Sequence, residues 1–207
     1  GLCGRDVIGI AKTGSGKTAA FVWPMITHIM DQPELVKGDG PIGIVIAPTR
    51  ELVLQILAEA KRFGKPFGLR AAAIYGGGNR YEQTKAVKDG IEIAVGAPGR
   101  MIDLIKSKDL PMHRASYLVL DEADRMFGMG FEPQIRSLVS QIRPDCQTML
   151  FSATFQKNIE HLAREILEDP VRVVVGAVGE ANTDITQHVQ VFGPTDNKWV
   201  WLTEGLV

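Results

Sequence analysis

Eight consecutive residues, Ala11-Lys12-Thr13-Gly14-Ser15-Gly16-Lys17-Thr18, combine two glycines with small side chains, two amines and hydroxyls. An apolar run, Val7 to Ile10, precedes them and a second starts at Ala19, so the segment lies where a strand passes into a helix. Small residues let successive backbone N–H groups turn inward on an anion, and the following helix adds the positive end of its dipole. Thr13, Gly14, Ser15, Gly16, Lys17 and Thr18 are therefore candidates to cradle the phosphates of ATP. Lys17 would reach the β and γ phosphates, and the Thr18 hydroxyl would ligate a magnesium ion. Ala11 stands where such loops usually begin with glycine, which requires only that the chain keep ordinary backbone angles there.

A second group of chemically capable residues, Asp121-Glu122-Ala123-Asp124, follows the apolar run Tyr117 to Leu120 directly. Carboxylates at the carboxyl end of a buried parallel strand lie on the sheet edge where open α/β folds bind ligands. They should therefore face the glycine-containing loop. Asp121 is the candidate for holding magnesium, together with Thr18. Glu122 is placed to orient or deprotonate an attacking water, which makes Lys17, Asp121 and Glu122 the candidate catalytic set. Alternatively, the acids only cap the helix that follows.

The elements that must position these residues are legible as alternating apolar runs and helical stripes. Strands are expected at Asp6 to Ala11, Ile42 to Ala47, Leu69 to Tyr75, Ile91 to Val95, Tyr117 to Leu120, Gln147 to Phe151 and Val171 to Val175. Between them, Leu52, Val53, Ile56, Leu57, Ala60 and Phe63 fall on one helical face. The same holds for Ile135, Leu138, Val139 and Ile142, and for Ile159, Leu162, Ala163, Ile166 and Leu167. The alternation predicts an α/β domain with a mostly parallel central sheet covered on both faces. Pro24 should kink or shorten the helix after the phosphate loop. Gln32 to Pro41, rich in Pro, Gly and charge, reads as a surface loop.

Composition narrows the function class. The chain has 207 residues, 45% hydrophobic, enough for one sizeable core. Its 23 Lys+Arg against 24 Asp+Glu give a net charge of -1, which argues against broad electrostatic coating of nucleic acid; such binding must come from a local patch or oriented backbone groups. The two cysteines, Cys3 and Cys146, lack partners at metal-ligand spacing and read as free thiols. No run of about 18 apolar residues or leader is visible. The expectation is an intracellular protein, nuclear or cytoplasmic, without membrane contact.

The two motifs, with four others in order, resemble the DEAD-box ATP-dependent RNA helicases. Residues 11–18 and 121–124 look like motifs I and II; Pro48-Thr49-Arg50-Glu51-Leu52 resembles motif Ia, Gly76-Gly77 the paired glycines, Pro98-Gly99-Arg100 most of motif Ib, and Ser152-Ala153-Thr154 motif III. The resemblance implies a RecA-like P-loop three-layer sandwich over residues 1–176 as the first helicase domain, with 177–207 a linker and the truncated start of a second. Wording such as His28-Ile29-Met30-Asp31-Gln32 and Gly179-Glu180-Ala181-Asn182 is similar to the nuclear, splicing-associated branch and suggests splicing-related partners.

By the same resemblance, Pro48, Thr49, Arg50, Gly76, Gly77, Pro98, Gly99 and Arg100 would hold RNA sugar-phosphate oxygens, positioning a strand without reading bases. Asp124, Ser152 and Thr154 would couple nucleotide state to domain arrangement. Ala97 departs from the threonine usual in motif Ib and removes a hydroxyl contact, and Gly128 replaces a common acid. The chain starts after the segment whose glutamine reads adenine in such enzymes, which puts base selectivity in doubt. A second RecA-like domain would complete the cleft and supply an arginine worth about 10³–10⁵-fold in rate. A monomeric chain alone is expected to bind Mg-ATP weakly and hydrolyse it very slowly.

Other readings stay open. One is a non-catalytic RNA- or protein-binding module; another is a different P-loop ATPase, which leaves the Pro-Thr-Arg-Glu-Leu and Ser-Ala-Thr runs unexplained. His28, His113, His161 and His188 are expected at surface or helix-end positions. Trp199 and Trp201 read as loose apolar side chains rather than base-stacking platforms.

Overall fold

A computed structural model describes residues 1–36, 38–176, 191–193, 199, 201 and 203. The seven expected strands all form: β1 Val7–Ala11, β2 Gly43–Ile46, β3 Ala71–Ile74, β4 Ile93–Gly96, β5 Tyr117–Leu120, β6 Gln147–Ser152 and β7 Val171–Val175. They pair in the order β3-β4-β2-β5-β6-β1-β7, and every pairing is parallel. The sheet is thus wholly parallel among the described residues. Central strands are buried on both faces, which is why they read as continuous apolar runs instead of alternating ones.

Two helical layers cover the sheet. On one face lie α1 Lys17–Met30 and α2 Arg50–Gly64, packed on Val45, Val95, Tyr117 and Val119. On the other lie α3 Arg80–Asp89, α4 Pro98–Lys106, α5 Ala123–Gly128, α6 Glu132–Val139 and α7 Lys157–Ile166, packed on Ile44, Ile74, Leu118 and Leu120. Alternate residues of β5 supply the two cores, the period-2 consequence of a pleated strand. This three-layer arrangement is the RecA-like α/β fold. The segment from 177 to 190, expected to be a linker, lies outside the described residues.

Chain direction decides where a site can form. From β1 through β2 to β3 the chain moves one way across the sheet; from β3 through β4, β5 and β6 to β7 it moves the other way. Adjacent strands β1 and β6 therefore send their helices, α1 and α7, to opposite faces, leaving a crevice at their carboxyl ends. Buried Asp6 ties the opposite edge together, accepting from the N–H groups of Thr148 (2.7 Å) and Glu168 (2.8 Å).

Pro24 does not shorten its helix: α1 runs through it to Met30. Phe21 and Val22 before it and Met25, Ile26 and Ile29 after it are all buried. At about 1.5–3 kcal/mol for each fully buried large apolar side chain, this packing outweighs the roughly 3 kcal/mol that an interior proline costs.

Candidate functional site

The loop before α1 has the backbone its sequence demands. Gly14 and Gly16 take φ of +82° and +87°, left-handed values that favour glycine, and a Cβ on either would meet no atom within 4 Å. Gly16 is the N-cap of α1 and offers no side-chain cap, so the first N–H groups of the helix stay available to an anion. Ser15 is turned back on the loop, its hydroxyl donating to the Lys12 carbonyl at 2.7 Å. Thr13 and Gly14 are exposed, and Thr18 sits on the first turn beside Lys17.

Lys17 and Asp121 meet across the crevice. The Lys17 ammonium stands 3.9 Å from Asp121 Oδ1, with both side chains nearly buried. That ammonium has no hydrogen-bond partner. Burial raises Asp121 above the ordinary carboxylate range, opposed by the attraction of Lys17 and by the N–H of Glu122, which donates to Asp121 Oδ1 at 2.9 Å. Glu122 adopts φ +51°, ψ +49°, a left-handed conformation uncommon for a side-chain-bearing residue. Although it is the N-cap of α5, its carboxylate makes no cap bond; it accepts from Arg125 at 3.2 Å. The capping alternative for this acid therefore does not hold.

Behind these residues runs a hydrogen-bonded relay. Asp124 Oδ2 accepts from both the N–H (2.9 Å) and the hydroxyl (2.8 Å) of Thr154. The fully buried Ser152 hydroxyl accepts from the Asp124 N–H at 3.3 Å and donates to the Thr154 carbonyl at 2.6 Å. Thr13, Lys17, Glu122, Asp124, Thr154, Arg125, Ala153 and Gln156 share the walls of one cleft of about 400 Å³. Residues from the ends of β1, β5 and β6 thus converge in one place.

A second set converges on the neighbouring half of the same edge. Thr49–Arg50, Gly76–Gly77 and Pro98–Arg100 follow β2, β3 and β4, which are adjacent strands. Thr49 caps α2, accepting from the Leu52 N–H at 3.3 Å, and Pro98 opens α4. Pro48 is buried, while Arg50, Gly76 and Gly77 are exposed, Gly77 with φ +76°. The Arg50 guanidinium lies 4.9 Å over the Tyr75 ring. Arg100 is half-buried and donates to the Gly78 carbonyl and to Gln83, each at 3.4 Å. Three helix N-termini and two anchored guanidinium groups on one edge suit an extended polyanion.

Residues 1–162 match the DEAD/DEAH box helicase family. The chain belongs to that family. It is 63% identical to the human ATP-dependent RNA helicase DDX42 over 206 residues, covering 100% of this chain and 22% of the relative. It is 65% identical to DEAD-box ATP-dependent RNA helicase 24 of rice over 205 residues, 99% of this chain and 27% of that one. The chain therefore spans about a quarter or less of the curated relatives' length. Among solved structures, the yeast DEAD-box splicing factor Prp28 superposes with a TM-score of 0.81 at 34% identity, over 86% of this chain and 42% of that one.

Within this helicase-family domain, sequence reasoning missed Arg125, which holds Glu122; its i,i+3 spacing from Glu122 was the available signal. It also missed Gln83, whose partners lie on another element and leave no local trace. His28 lies in the last turn of α1, a helix-end position as expected, and is half-buried, its Nε2 2.9 Å from the Ser116 hydroxyl. Ala97 is the N-cap of α4 with no side-chain cap bond, so the departure from threonine leaves that helix start bare. Around Gly128 a Cβ would meet open space, and the departure there has no packing consequence. Trp199 is exposed, and Trp201 packs against Phe192 with ring centroids 5.4 Å apart instead of standing loose. Among the described residues, no helix is long and apolar enough to cross a membrane.

Proposed function

We propose that residues 1–176 form the first RecA-like domain of an ATP-dependent RNA helicase, and that 177–207 lead into a second. The observation that carries this reading is the buried Lys17 ammonium, beside Asp121 but without a hydrogen-bond partner, at the mouth of a glycine cradle. A cation so desolvated is poorly satisfied until a ligand takes its hydrogen bonds. The donor set fits Mg-ATP: Thr13 to Thr18 supply backbone N–H groups for phosphate, and Thr18 and Asp121 supply hard oxygen ligands for magnesium. Magnesium, when bound, neutralises phosphate charge. Asp121, beside Lys17, would hold the metal side of the cleft; Glu122, aimed by Arg125, orients the attacking water and takes its proton.

RNA would lie along Thr49, Arg50, Gly76, Gly77, Pro98, Gly99 and Arg100, held by its sugar-phosphate backbone. The Asp124–Ser152–Thr154 relay would report nucleotide state to the second domain. Local duplex separation is the task this reading assigns to the joined pair, with splicing-related partners suggested by the likeness to Prp28. The test is the ATPase rate of the full-length protein with and without single-stranded RNA, beside Lys17→Ala. RNA stimulation lost with the lysine supports the reading; partner binding without nucleotide binding in either protein would favour a non-catalytic module.

A further inference from the structure

Gln83 lies on the first turns of α3, yet it is only 8% exposed and its amide is turned away from its own helix. Its Nε2 donates to the Tyr75 carbonyl at 3.1 Å, and its Oε1 accepts from the Tyr75 N–H at 3.3 Å. β3 is an edge strand that ends at Ile74, whose carbonyl takes the N–H of Ala97 on the β4 side. The polar pair of Tyr75 therefore faces the open side, and the Gln83 amide completes it as a neighbouring strand would. The same Oε1 receives Arg100 at 3.4 Å. Gly78 closes over the amide: a Cβ there would stand 2.7 Å from Gln83 Nε2 and 2.9 Å from the Tyr75 ring.

One buried amide thus fixes the aromatic plate under Arg50, the glycine turn at 76–78 and the Arg100 guanidinium, three features on separate stretches of sequence. We propose that Gln83 is the positioning residue of the RNA edge: it touches no RNA itself and sets the geometry through which Arg50, Gly77 and Arg100 grip the strand. Binding of an extended backbone by several weak contacts needs them in register, so loosening one hub costs affinity at all of them. The inference rests on the RNA reading above.

The test uses the full-length protein with Gln83→Met, which keeps volume and removes every amide bond, and measures the RNA and ATP dependence of ATPase activity. The expected result is a KM for single-stranded RNA raised about tenfold, the loss of roughly 1.4 kcal/mol, with the KM for ATP within about twofold. In an Arg100→Ala background the same substitution should cost less than half as much, because part of its effect passes through that guanidinium. If Gln83→Met does not fold, Gln83→Glu, which keeps the acceptor and loses only the donor to Tyr75, is judged on the same ratio of KM values. Equal losses in both backgrounds, or KM values for RNA and ATP that rise together, assign Gln83 an ordinary structural role and overturn the proposal. Arg100→Ala weakening RNA while Gln83→Met does not overturns it alone; no RNA effect from Arg100→Ala overturns the RNA reading first.

Discussion

Lys17 Nζ and Asp121 Oδ1 stand 3.9 Å apart, near enough for attraction and too far for a hydrogen bond. The two charges arrive from the ends of β1 and β5, with β6 between them in the sheet. Each is nearly removed from water, and the ammonium lacks any hydrogen-bonded neighbour. The ammonium donors are thus left uncommitted beside a carboxylate, so the arrangement is preorganised for a ligand at some expense to the unliganded fold.

Lys17→Met should therefore abolish most nucleotide affinity without collapsing the domain. Removing one member of a desolvated charge set costs about 2–5 kcal/mol in binding, or at least a thirtyfold rise in Kd. Calorimetric titration with Mg-ATP checks it. Unchanged affinity would show that phosphate does not reach this ammonium.

Ser152→Ala should lower stability by about 1–3 kcal/mol, since the half-buried Asp124 N–H then loses the acceptor that the fully buried Ser152 supplies. Thr154→Val should cost less, because Asp124 Oδ2 keeps the Thr154 N–H and lies nearer water. Urea unfolding of the two variants measures the order. Equal midpoints would mean that the relay is held by its backbone alone.

The seven strands could be read from the sequence because a wholly parallel sheet buries both faces of its central members, turning each into an uninterrupted apolar run. The phosphate loop could be read because its requirements are local: left-handed angles at Gly14 and Gly16, and a helix start at Lys17. What escaped is long-range. Gln83 is an unremarkable polar residue on α3 until Tyr75, just past β3, and Arg100, on α4, are brought to it. The shortening expected at Pro24 does not occur because the cost of a proline is intrinsic to the chain, whereas the packing that holds α1 through it belongs to the assembled core.

His28 gives a pH signature. Burial lowers it below its ordinary 6.5, partly offset by Asp31 and Asp145, while its ring packs 5.4 Å from Tyr117 and bonds Ser116. A base depressed in the folded state contributes stability that is present above 6.5 and lost as pH falls through the folded value. His28→Gln retains a side chain able to bond Ser116 and cannot titrate. The stability advantage of the native chain over this variant should shrink as pH drops from 7 to about 5, followed by urea midpoints. A constant difference across that range would mean that His28 titrates as it does in water.

Ala97→Thr should stabilise the domain. Ala97 holds extended angles, φ -89° and ψ +142°, the N-cap geometry in which a threonine hydroxyl accepts from the N–H two or three residues on. Thr49 does the same at the start of α2, with Leu52 as donor. The backbone bond from Ala97 N–H to the Ile74 carbonyl, 2.8 Å, involves no side chain and persists in the variant. A gain of about 0.5–2 kcal/mol is expected, seen as a Tm increase of roughly 2–4 °C per kcal/mol. Because position 97 opens the helix that carries Gly99 and Arg100 on the edge assigned to RNA, the two uses of the new hydroxyl can be separated: a cap raises Tm without RNA, whereas a phosphate contact lowers the KM for RNA. A rise in Tm with no change in that KM would place the hydroxyl in the helix alone and remove position 97 from the RNA edge.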